Sequence, residues 1–113
     1  EVASFVGDAM ELRGIVHASQ VSATTVLGDV SLITPHSPGD AIITVRPEQI
    51  DIVDVAHGAT TGTVISTKYY GHDGTVSVQL ASSDIVHVRL HARLLPAIGT
   101  QVGLVVNGEL AAF

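Results

Sequence analysis

The sequence predicts an all-β domain, a small barrel or sandwich of short antiparallel strands. Three observations carry that expectation. Apolar and polar residues alternate through Val76, Val78 and Leu80, through Val86, Val88 and Leu90, and through Val102, Leu104 and Val106. That is the pattern of strands with one buried and one wet face. Turn-forming clusters of Gly, Pro, Asn, Asp and Ser break the chain at short intervals. Aromatic residues make up only 4% of the chain, so Val, Ile, Leu and Ala must fill the core, and the first two favour pleated surfaces.

The 113 residues suffice for one domain with one modest core. Hydrophobic residues are 46% and the mean hydropathy is +0.45, which argues against disorder. The net charge of -6, five basic residues against eleven acidic ones, disfavours a backbone-gripping nucleic-acid binder and an anionic membrane surface. With no cysteine, disulfides, thiol catalysis and thiolate metal sites are excluded, and a reducing compartment fits. No apolar run approaches ~18 residues, and no signal-peptide pattern opens the chain. The chain lacks an initiator Met and opens as Glu1-Val2-Ala3-Ser4-Phe5-Val6-Gly7, which reads as the interior of a longer protein.

In order along the chain, residues 1–7 suit the end of a short helix stopped by Gly7. Leu12, Ile15, Val16 and His17 suit a first strand broken by Gly14, and residues 21–27 a second. Gly28-Asp29 suits the primed turn of a two-residue hairpin, with residues 30–33 as the return strand. Thr34-Pro35-His36-Ser37-Pro38-Gly39-Asp40 is loop by composition. The β-branched run Ile42-Ile43-Thr44-Val45 must end, or lie at an edge, where Pro47 removes a backbone donor and holds Arg46 extended. Ile50-Asp51-Ile52 restarts the pattern and His57-Gly58-Ala59 turns it. Residues 61–70 form the longest β-rich run, broken by Gly71-His72-Asp73-Gly74, where Asp-Gly signals a turn. Ala81-Ser82-Ser83-Asp84 is a further turn and residues 96–99 a loop. Asn107-Gly108 signals a type I′ hairpin before the closing residues 110–113. The sum is about nine or ten short strands with no convincing internal helix.

Several pieces, taken together, resemble the TOBE domain of the ATP-binding subunits of bacterial ABC importers. Val45-Arg46-Pro47-Glu48-Gln49-Ile50 is similar to the family's most recognisable motif. Met10-Glu11-Leu12-Arg13-Gly14 resembles its first strand, and Val2-Ala3-Ser4-Phe5-Val6-Gly7 the exit from the preceding nucleotide-binding domain. Gly62-Thr63-Val64, followed by Tyr69-Tyr70-Gly71-His72-Asp73, resembles the next strand and turn, and residues 96–105 the closing segment. The Tyr-Gly-His-Asp turn looks closest to importers of ferric iron, polyamines or similar small solutes.

The resemblance implies an OB-like, all-β regulatory domain over residues 9–113, with residues 1–8 the tail of the nucleotide-binding domain. It also implies a place at the cytoplasmic face of the cell membrane. The implied partners are a second copy of the ATPase subunit, the upstream nucleotide-binding domain and the membrane permease subunits. ATP and Mg would belong to the upstream domain and no cofactor to this segment, which contains no GxxxxGK[ST] phosphate loop.

Among the candidate residues, Arg46 and Glu48 lie two apart and could pair if the chain stays extended; a structural corner is the plainer reading, a partner contact the sharper one. Tyr69 and Tyr70 should place one ring in the core and one on a partner surface, where Tyr is enriched. Asp73 suits the backbone of its turn and His72 a regulatory contact. His87 and His91 share a strand face with Arg89. Neighbours two apart on one face are roughly 6.6 Å apart, so the two imidazoles suit a solvent or interface row better than one metal ion. Asp51 and Asp54 are an unpromising carboxylate pair in a β context.

Two further functions compete. An oxyanion-binding OB-like module would need backbone nests or cations, which are scarce here. A lipoyl- or biotinyl-type carrier would need its Lys at a hairpin tip, whereas Lys68 lies inside a strand run.

Overall fold

The computed structural model describes the backbone of residues 4–6 and all of residues 9–113. Among the described residues there are eleven strands and no α-helix. The first strands are β1 (Ser4–Val6), β2 (Ala9–Val16), β3 (Ser22–Thr25), β4 (Gly28–Leu32) and β5 (Gly39–Val45). A 3₁₀ turn (Pro47–Gln49) leads to β6 (Ile50–Val53), and a second (Val55–His57) to β7 (Thr60–Tyr70). Then come β8 (Asp73–Leu80), β9 (Ile85–His91), a third 3₁₀ turn (Ala92–Leu94), β10 (Gln101–Val106) and β11 (Glu109–Ala112).

The strands form two sheets. In the first, β2-β3-β4-β11-β5 run in order and β5 pairs back onto β2, which closes a barrel; β1 adds to β2 outside that ring. The second is an open sheet in the order β6-β10-β7-β8-β9. The expected small barrel is therefore present, with a second sheet beside it. A continuous apolar core runs from Met10, Leu12 and Ile43 in the barrel to Val64, Val78, Val88 and Leu104 in the sheet. The alternation read from β8 is exact on one side: Val76, Val78 and Leu80 are all buried. Met10 joins the two halves, its side chain buried and its Sδ accepting the His87 backbone N–H at 3.2 Å.

Five local expectations are corrected. Residues 4–6 form a strand rather than the end of a helix, because they find partners along β2; residues 1–3, 7 and 8, including the proposed Gly7 stop, lie outside the described residues. Gly14 does not break β2. It is buried within the strand, and a Cβ there would come within 2.7 Å of Ile43 Cγ1, so glycine lets a large side chain cross the barrel. The β3–β4 turn is Val26-Leu27 rather than Gly28-Asp29, since Thr25 pairs with Gly28. Leu27 is drawn into the core, and the Thr25 hydroxyl accepts its N–H at 3.0 Å.

The β7–β8 turn is Gly71-His72, with Gly71 at φ +77°, and Asp73-Gly74 already belongs to β8. Gly74 is needed inside the strand, because a Cβ there would collide with Leu95 Cδ1. Finally, Asn107-Gly108 does not make a hairpin. It carries the chain from β10 in the sheet to β11 in the barrel, where β11 pairs with β4 and β5.

Candidate functional site

Two regions hold the residues singled out from the sequence. The first is the corner where β5 leaves the barrel and becomes β6. Val45 and Ile50 are fully buried on either side, which anchors the corner between the two halves. Pro47 ends the strand by starting a 3₁₀ turn. The chain therefore does not stay extended: Arg46 and Glu48 are exposed and make no ion pair with each other. Gln49 does the local bonding instead. Its Oε1 accepts the Arg46 N–H at 2.9 Å, its N–H donates to Arg46 O at 2.9 Å, and its carbonyl accepts the Asn107 N–H at 2.6 Å. Asn107 Nδ2 also donates to Asp51 at 2.8 Å, so the two connections between barrel and sheet are tied together.

The second region is the far end of the β7–β8–β9 ribbon. Pairing register arranges its outward side chains in cross-strand rows: Ser66, Ser77 and His87; then Lys68, Thr75 and Arg89; then Tyr70, Asp73 and His91. Tyr69 and Tyr70 are 66% and 54% exposed, so the expectation that one would be core is wrong. The ribbon runs past the core there: opposite Tyr69, the inner face offers only Gly74, covered by Leu95. Lys68 Nζ lies 5.7 Å from the Tyr70 ring centroid, within cation–π range.

Asp73 does not serve a turn; its carboxylate lies 3.6 Å from Arg89 Nε. His72 is exposed at the tip, and its carbonyl accepts the Ala92 N–H at 2.8 Å, which fixes the third 3₁₀ turn against the hairpin. His87 is half-buried with Nδ1 2.9 Å from Ser77 Oγ, and burial lowers its pKa from the usual 6.5. Among the described residues no three His, Asp or Glu side chains are close enough to hold a metal ion.

Lys68 and Arg89 share a row at this end, and the 3₁₀ turn that carries Arg93 and Leu94 is tied to His72. Sequence reasoning placed Arg89 and the two histidines on one face but did not join them to Lys68 and Tyr70. The signal was the hairpin register, which only the position of the Gly71-His72 turn reveals.

Open clefts lie elsewhere. One of about 370 Å³ is lined by Thr61, Thr63, Gln79, Ser83 and Gln101 and has no charged side chain. Another of about 400 Å³, lined by Ile42 and Phe113, holds Arg13 with Asp40. No helix among the described residues is long and apolar enough to cross a membrane.

Comparison with known proteins agrees with this architecture. The family model for the TOBE domain matches residues 43–113, which include the corner and the ribbon. Fe(3+) ions import ATP-binding proteins FbpC 1 and FbpC 2 of Rhodococcus jostii are 34% and 32% identical over 98% of this chain and 33% of their own length. FbpC 2 of Pectobacterium atrosepticum is 26% identical over 100% of this chain and 34% of its own. The chain thus spans about a third of the length of the relatives it matches. A solved structure of the cytoplasmic molybdate-binding protein ModG, with molybdate bound, superposes with a TM-score of 0.77 over 96% of this chain and 98% of that one, at 11% identity. The fold is therefore OB-like, and the chain belongs to the TOBE domain family.

Proposed function

We propose that this chain is the non-catalytic regulatory and pairing domain of the ATP-binding subunit of an ABC importer, with ferric iron as the favoured solute and a polyamine as the other. The observation that carries this reading is the 34% identity to a Fe(3+) import ATP-binding protein across 98% of the chain. The sequence offers no phosphate loop, so ATP and Mg are assigned to an upstream domain and residues 1–8 to its tail. The partners are a second ATPase subunit, the upstream nucleotide-binding domain and the permease, at the cytoplasmic face of the cell membrane. Arg46, Glu48, Tyr69, Tyr70, His72 and Asp73 are the proposed contact residues, in two separate groups.

The test is ferric-iron uptake by cells whose importer ATPase carries or lacks this segment. Uptake, or its regulation by iron supply, should be lost on deletion while the purified ATPase still turns over ATP. Uptake and regulation that both survive the deletion would sink the reading.

The likeness to ModG prompts a second reading, a small-oxyanion binder. The chemistry of the two clefts weighs against it: one has no cation, and the other offsets Arg13 with Asp40. Sub-micromolar molybdate binding by calorimetry would reverse that order.

A further inference from the structure

The far end of the β7–β8–β9 ribbon differs in charge from the rest of the molecule. Lys68, Arg89 and Arg93 are three of the five Lys and Arg residues in the chain, and Asp73 is the acid paired with Arg89. Among the described residues, two cations elsewhere stand against eight acids. The domain is thus strongly acidic with one basic end. That end also presents Tyr69, Tyr70 and Leu94, the last 63% exposed. Aromatic rings and guanidinium groups together are the composition of binding hot spots.

The barrel reaches the ribbon at His87, through Met10, while the register carries the β7–β8 tip beyond it. The β5–β6 and β10–β11 connections leave the sheet at Ile50 and Val106, which pair with each other. Along β7, the β10 partners lie at residues 60–63, whereas the tip lies at 69–72. Tyr69, Tyr70 and His72 at the tip are accordingly exposed.

We propose that this end docks an acidic segment of a partner protein that also carries an apolar anchor. Lys68, Arg89 and Arg93 meet the carboxylates, while Tyr70, held under Lys68, and Leu94 receive the anchor. The proposal rests on the partner-surface reading of Tyr69 and Tyr70 and adds the chemistry of the partner.

A polyphosphate occupant is disfavoured because its long-range field would meet the eight other described acids as well as the basic end. A second copy of this chain would bring its acidic side to the basic end. That contact is head-to-tail, so it leaves a basic end unsatisfied and grows into rings or fibres rather than a closed pair.

The experiment is fluorescence anisotropy of a labelled oligoglutamate peptide with one leucine, titrated with the 113-residue chain. Binding should weaken as salt is raised. It should fall roughly tenfold or more in the double variant Lys68→Gln, Arg93→Gln, the loss of two peripheral charge contacts. Arg13→Gln, on the barrel, should leave it unchanged. Both replaced side chains are exposed and outside the core, so thermal unfolding should confirm that the double variant is folded.

No binding, or an equal loss in Arg13→Gln, would overturn the proposal. Equal affinity for single-stranded oligothymidylate would overturn it in favour of a phosphate site. Self-association of the chain that vanishes in the double variant would overturn it in favour of a second copy. The uptake test above reads the importer role separately: iron uptake that ignores the segment would remove that reading and leave this surface standing.

Discussion

At the residue scale, small side chains carry much of the specificity. Gly74 sits under Leu95, and a Cβ there would also lie 2.9 Å from Lys68 O, a backbone atom that cannot swing away. Gly74→Ala should therefore destabilise the domain by about 1–3 kcal/mol, as overpacking does. Urea denaturation would show it; an unchanged midpoint would mean that the ribbon end is loosely packed. The sequence made Asp73-Gly74 look like a turn because dipeptide statistics see only the local backbone. The burial of Gly74 depends on Leu95, whose approach no local pattern announces.

His87 gives a pH dependence at the same scale. Burial holds its folded pKa below the unfolded value of 6.5, so the unfolded state binds the proton more readily. Stability contributed by neutral His87 is present above about pH 6.5 and is lost as pH falls below it. His87→Gln should flatten the acid side of a stability–pH curve between about pH 7.5 and 5.5. A slope identical to that of the parent would assign the dependence to other groups.

At the element scale, most strands were legible and their partners were not. Alternation located β8, β9 and β10, and Pro47 correctly ended β5, because these depend on local burial and on a missing donor. The fate of β11 was illegible. Asn107-Gly108 has hairpin composition, yet β11 leaves β10 and runs parallel to β4. What decides this is long-range: β4 and β5 present open edges, and Leu110 fills the barrel core at 1% exposure. Leu110→Ala should cost about 2–5 kcal/mol, the range for emptying a core site. Equilibrium denaturation measures this, and a cost no larger than that of a surface substitution would show that β11 does not close the barrel.

The corner teaches the complementary lesson. Arg46-Pro47-Glu48 was the most recognisable part of the sequence, and the family match includes it. Its chemistry is quieter than its charges suggest: Gln49 and Asn107 make the bonds that lock barrel to sheet. Charged residues attract notice in a sequence, whereas neutral amides bonded to distant backbone do not.

At the scale of the whole molecule, two connected β-units share one core, with Lys68 and Arg89 in one row at the far end of the ribbon. Such an object suits a rigid accessory body that is read by partners. Neither cleft described combines charge and enclosure in a way that suits catalysis. We propose above that the domain holds a pair of ATPase subunits together within an importer. Its most direct test is the light-scattering mass of the upstream ATPase domain with and without this segment. A dimer is expected with the segment and a shift toward monomer without it; a mass that stays monomeric in both forms would overturn the pairing role.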